Sequence, residues 1–166
     1  MYATATQLLE RYNAEEIAQR ADQRIPRLAT GDMLTIAAAG GDLSAFTTEE
    51  QAATLVAIAL IERTLQDARQ TIDAYVGSRY QLPLTQAPDV LERIACQLAR
   101  YGLYDDRATD QIKALRDDSI KFLEQIATGR IQLGVTALNA APASAMVAEV
   151  VSGGTVFGRD NSKGFI

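Results

Sequence analysis

The chain has 166 residues, 48% of them hydrophobic and 22% charged, with a formal charge of −5 and a pI near 4.8. That length suits one domain with appendages, no apolar run approaches the roughly 18 residues of a membrane span, and the acidic balance argues against a grip on a phosphate backbone, which needs clustered Lys and Arg. Histidine is absent and cysteine occurs once, which excludes an intrachain disulfide, the usual general base at neutral pH, the commonest nitrogen ligand of zinc and every Ser-His or Cys-His nucleophile pair.

The opening Met1-Tyr2-Ala3-Thr4 lacks the basic and apolar regions of a secretory leader, so the protein is expected to work inside the cell that made it or in a particle assembled there. From Thr4 to Asp22, the spacing of Leu8, Leu9, Tyr12 and Ile17 predicts one or two short amphipathic helices capped by Thr4 or Thr6, a lid on a larger bundle. Between Gln23 and Thr47 the periodicity fails at Pro26, Gly31 and Gly40-Gly41-Asp42, and the segment reads as a long loop insertion with room for a helical turn around Met33 to Ala38.

A strong helix follows. Thr48 with Gln51 three residues later is the pair expected to satisfy two orphan amides at its start. Leu55, Ile58, Ile61, Leu65, Ala68, Ile72, Tyr75 and Val76 then recur at three- and four-residue steps up to Gly77, predicting one buried stripe along a rod of about 45 Å. Arg79-Tyr80-Gln81-Leu82-Pro83-Leu84 reads as an extended connection, because prolines 83 and 88 bias their predecessors away from helix. A helix from Pro88 to about Tyr104 should bury Leu91, Ile94, Ala95, Leu98 and Tyr101. Another, from Thr109 to about Thr128, should bury Ile112, Leu115, Phe122, Leu123 and Ile126, with Gly129 ending it. The fold class is therefore all-α: a small helical bundle around one long helix, residues 1–134, with a loop insertion at 23–47.

Residues 135–166 are rich in small side chains and read as an extended tail. The run Glu149 to Phe157, with Gly153-Gly154 between Val150-Val151 and Val156-Phe157, has the make-up of a β-hairpin, which is marginal alone in water and would need a partner.

Few residues advertise chemistry. Asp105-Asp106, Asp117-Asp118 and Glu62 with Asp67 could in principle hold Mg²⁺, but sequence neighbours on a helix point about 100° apart, and a solvated face is the preferred reading. Cys96, between Ile94 and Leu98, reads as a packing residue, and no glycine cluster is followed by the Lys-Ser or Lys-Thr of a nucleotide loop. No cofactor or metal is expected. Tyr75, Tyr80, Tyr101 and Tyr104 with Arg79 and Arg100 are of the types enriched at protein interfaces, although Tyr101 fits simple core equally well, and Arg79-Tyr80 beside the proline-stiffened loop of Leu82 and Pro83 is read as a preorganised contact. Val150, Val151, Val156, Phe157, Arg159 and Phe165 are the corresponding candidates in the tail, where a terminal Phe-Ile is costly to leave exposed.

The string Asp67-Ala68, Ile72-Asp73-Ala74-Tyr75-Val76, Arg79-Tyr80-Gln81-Leu82-Pro83-Leu84, Pro88, Leu91 and Ala95 to Tyr104 resembles the Mu-like phage head-tail connector family of adaptor or head-completion proteins. Met1 to Thr4 with Leu8 is similar too, as are Phe157-Gly158-Arg159-Asp160 and Lys163-Gly164-Phe165, whereas residues 23–54 look like an expansion and Gln97 stands where the pattern leads one to expect Asp. The resemblance implies a non-enzymatic virion protein of the neck, assembled in the host cytoplasm. It would form a ring, of twelve copies by analogy, between the portal protein and a tail terminator or stopper, lining a channel through which double-stranded DNA passes without specific binding. Two rival readings are a small helical Mg-dependent nucleotide pyrophosphatase and a protein-binding regulator.

Overall fold

The computed structural model of the chain describes residues 1–84 and 86–134, and these are all-α. Six α-helices run α1 Ala5–Arg11, α2 Ala14–Ala21, α3 Gly31–Ala38, α4 Thr48–Val76, α5 Asp89–Tyr104 and α6 Asp110–Ala127, with one 3₁₀ turn at Asp105–Arg107. The anticipated β-hairpin and docking tail lie outside the described residues.

The 29-residue α4 is the axis, about 44 Å long at 1.5 Å per residue. It packs most extensively on α5, which in turn holds α6, while α1, α2 and α3 also pack against it. These first helices are no lid: Leu8, Ile17, Ala18 and Leu34 are fully buried and belong to the same apolar core as Ile61, Leu65, Ile72, Leu91, Ile94, Leu123 and Ile126. Burying the amphipathic stripes of all six helices together is what makes short segments such as α1, far below the length at which a helix holds in water, stable here.

One sequence expectation, the helical turn around Met33 to Ala38, is extended, and two need correction. The segment 23–47 contains a two-turn helix, α3, capped by the Thr30 hydroxyl, which accepts from the Met33 N–H at 3.4 Å. Gly31 opens it because the backbone of α2 passes so close that a Cβ would lie 2.6 Å from the Glu15 nitrogen. The Gly31 N–H is satisfied by the Glu15 carboxylate at 2.9 Å. So a residue that looked like punctuation is a close-packing point.

The cap of α4 is Thr47 with Glu50, not Thr48 with Gln51. The Thr47 N–H donates to Glu50 Oε2 at 2.9 Å and the Glu50 N–H donates to the Thr47 hydroxyl at 3.3 Å. A carboxylate is the stronger acceptor for an orphan amide near the positive helix end, which leaves the Gln51 amide to donate to the Phe46 carbonyl at 2.8 Å.

The buried stripe of α4 also differs in its first turns. From Ile61 onward it follows expectation through Leu65, Ala68, Ile72 and Val76, but before that the core side is Ala53, Thr54 and Ala57, with Ile58 half-buried and Leu55 60% exposed. Small residues face inward here because Met33 of α3 comes within hydrogen-bonding range of Thr54, 3.5 Å from sulfur to hydroxyl, and larger side chains would hold the two helices apart. The α5 and α6 boundaries agree with the sequence reading, and Gly129 at φ 79° terminates α6 in the left-handed region as expected.

Candidate interface surfaces

The Tyr and Arg residues singled out as contacts for another subunit are largely spent inside the chain. Tyr80 is only 1% exposed. It follows the turn that ends α4, where the Arg79 and Tyr80 amides both donate to the Val76 carbonyl at 3.0 Å. This turn swings its ring into the core, and the hydroxyl accepts from the Leu133 N–H at 3.0 Å. Arg79, half-buried, lays its guanidinium over Gly129, where a Cβ would sit 2.7 Å from Arg79 Cζ, and its Nε is buried with no hydrogen-bond partner among the described residues. Tyr75 and Leu82 are half-buried against the core, while Pro83 is exposed. Of this group, Pro83 alone stands clear of the core.

Arg100 and Tyr104 converge on a residue that the sequence did not advertise, Glu16 of α2. Its Oε1 accepts from Arg100 Nε at 2.8 Å and from the Tyr104 hydroxyl at 2.8 Å, and it lies 2.7 Å from Arg100 Nη2. Arg100 is stacked 4.5 Å from the Tyr12 ring centroid, and Arg20 lies 4.4 Å from that of Tyr104, with its Nε buried and unpartnered among the described residues. Burial alone would weaken the Arg100 charge, but the hydrogen bond and charge of Glu16 outweigh it and the net shift is upward. One carboxylate thus fastens α2 to α5, giving Arg100 and Tyr104 an intrachain duty. No local pattern could have found this, because the partners are 84 and 88 residues apart.

Gln97, the departure from the family pattern, has a role of its own: its Oε1 accepts from the Ser119 hydroxyl at 2.7 Å, tying α5 to α6. Cys96 is fully buried, and burial pushes its thiol up to about 11, the setting of an inert packing residue. The acidic residues Glu62, Asp67, Asp105, Asp106, Asp117 and Asp118 are all exposed, and among the described residues no three His, Cys, Asp or Glu side chains are grouped to hold a metal ion. No helix among them is long and apolar enough to cross a membrane. The tail candidates Val150, Val151, Val156, Phe157, Arg159 and Phe165 lie outside the described residues.

Besides Met1 at the chain start, the described residues leave large apolar side chains open in two places that the sequence reading missed. Ile25, in the loop between α2 and α3, is 99% exposed, and Leu55 and Val56 on α4 are 60% and 57% exposed. The fold is therefore that of a packed helical body whose conspicuous unsatisfied feature is apolar side chains facing water.

Residues 2–152 match the family model described as Bacteriophage Mu, Gp36. The chain belongs to that family. Over 108 residues, covering 65% of this chain and 77% of the relative, it is 48% identical to the Mu-like prophage FluMu protein gp36 of Haemophilus influenzae. Over 109 residues, with the same coverage, it is 38% identical to gene product J of Escherichia phage Mu. It is thus a protein of Mu-like phages, and the Arg-Tyr-Gln-Leu-Pro-Leu loop falls in the matched span as the turn that carries Tyr80 into the core.

Proposed function

We propose that this Mu-family protein is a non-enzymatic adaptor of the virion neck, a ring subunit that joins the portal to the tail and lines the DNA channel. The observation that carries the reading is the match to the phage Mu Gp36 family across residues 2–152. Physical features support it. A ring subunit needs a stiff body and two different contact patches, because a heterologous contact repeated by rotation closes a ring, and here α4 runs 29 residues through one core while exposed apolar residues occur on separate elements. A charge of −5 per copy, repeated around a channel, repels DNA phosphate and lets the duplex slide. Residues 147–166 are proposed to dock on the portal through Val150, Val151, Val156, Phe157, Arg159 and Phe165, by adding a strand to an exposed sheet edge.

The test is co-expression with the cognate portal followed by electron microscopy of the complex and of virion necks. The expected result is a ring of this chain, of twelve copies, seated beneath the portal, and loss of attachment with a normal helical circular-dichroism spectrum when residues 147–166 are deleted. Virion necks that contain none of this polypeptide would overturn the assignment.

A further inference from the structure

Ile25 is not exposed by looseness. Asp22, 3% exposed, turns its carboxylate back into the loop and accepts from the amides of Arg24 at 3.1 Å, Leu28 at 2.7 Å and Ala29 at 3.0 Å. These bonds staple residues 22–29 into one shape with a bare isoleucine at the tip, flanked by exposed Arg24 and Arg27. Beside the loop lies a cleft of about 350 Å³ whose lining includes Arg20, Arg24, Arg27 and Arg107 as well as Asp105 and Asp106. An exposed apolar side chain on a prefolded loop loses little entropy on docking, so it suits an anchor residue.

The second bare surface has the complementary form. Helical rotation of 100° per residue puts Ala52, Leu55, Val56 and Ala59 on the side of α4 opposite to Ala53, Thr54, Ala57 and Ile61, which face the core. Ala52 and Ala59 flank its two larger members. Exposed carboxylates, Glu49 and Glu62, bracket it at either end, with Arg63 the one cation on that face next to Glu62. Ile25, Leu55 and Val56 are all exposed in the same chain, so the two patches do not cover each other within it.

We propose that the Ile25 loop of one copy docks on the Leu55–Val56 face of α4 in a second copy, a head-to-tail contact in which an arginine-flanked apolar knob meets an acid-flanked apolar stripe. Sign and chemistry favour a copy of the same chain over a foreign partner, since both halves of the contact are present on it. The proposal rests on the ring reading in naming the contact that closes the ring, but it stands on its own as a mode of self-association.

The test exploits the asymmetry of the contact. Ile25→Glu breaks only the knob and Leu55→Glu/Val56→Glu only the stripe, and all three side chains point into water, so melting temperatures should stay at the parent value. In sedimentation velocity each variant alone should lose self-association by about tenfold or more in Kd, whereas an equimolar mixture should form a 1:1 pair and no larger species, because one knob and one stripe survive in it. To catch a weak contact, Ile25→Cys chains mixed with Val56→Cys chains should give a disulfide-linked heterodimer under mild oxidation, with buried Cys96 silent. A mixture that stays monomeric with no such crosslink, or variants that associate as the parent does, would overturn the proposal. A ring on the portal that survives Ile25→Glu would sink this contact and leave the adaptor reading standing. The 1:1 pair without any ring at the neck would do the reverse.

Discussion

Replacing Tyr80 by Phe removes a single oxygen and tests whether this residue serves the core or an external contact. The ring is 1% exposed, and its hydroxyl is the acceptor for the Leu133 amide at 3.0 Å in buried surroundings. Phe fills the same space, so no cavity term arises, and what remains is a buried N–H stripped of its partner. Such a loss costs about 1–3 kcal/mol. Leu133 lies after the end of α6 and can relieve part of that by opening locally, which sets the expectation at about 1–2 kcal/mol. For a chain of this size that is a fall of about 3–6 °C in Tm. The isolated protein suffices for the assay: thermal melts of parent and variant, with hydrogen exchange resolved at the Leu133 amide, which should exchange about tenfold faster or more once its acceptor is gone. A Tyr80→Phe protein that melts and exchanges as the parent does, yet fails to assemble, would refute the placement of Tyr80 in the core and restore it to an interface.

Other outcomes follow from the same geometry. Glu16→Ala strands the partly buried Arg100 and Tyr104 and should cost about 1–3 kcal/mol in urea unfolding. Glu16→Gln keeps one acceptor and should cost less, and a double-mutant cycle with Arg100→Ala should show coupling well above zero. Asp22→Ala should destabilise by about 2–3 kcal/mol, since the Leu28 and Ala29 amides are left without an acceptor. Although burial pushes the Asp22 carboxyl up, the three backbone amides hold it below the usual value. Its contribution is therefore present above an unfolded pKa of about 3.9 and lost as pH falls through the lower folded value, so the stability gap to Asp22→Asn should narrow on acidification from pH 7 to about pH 3. Cys96, its thiol pushed up to about 11 by burial, should resist a disulfide reagent at pH 8 in the native state by about two orders of magnitude relative to the unfolded chain, on the thiolate fraction alone. Rapid native-state labelling would contradict its burial.

The elements legible in the sequence were those whose information is local. The apolar period of α4 from Ile61 onward, the α5 and α6 boundaries, Thr109 as cap and Gly129 as stop all follow from side chains a few residues apart, because a helix closes its hydrogen bonds four residues away. So does the all-α class, and the absence of histidine narrows the chemistry. The errors fell where a distant partner decides. Of α3 the sequence showed only a turn around Met33 to Ala38, because its stability comes from packing on α2 and α4, and the Gly31 that opens it is required by the closeness of the Glu15 backbone. Thr47 displaced Thr48 as cap because Glu50, one residue before Gln51, supplies a charged acceptor.

Residue type suggested that Tyr80, Arg100 and Tyr104 faced another molecule, since Tyr and Arg suit interfaces and cores alike once their polar ends are satisfied. Only the tertiary arrangement supplied those satisfactions, from Glu16 and from the Leu133 amide. It also turned Leu55 outward and bared Ile25, because which side of an apolar helix or loop meets water depends on how closely its neighbours approach. Composition and period therefore determine that this chain makes a helical bundle without histidine. Long-range packing alone decides which of its apolar residues stay exposed.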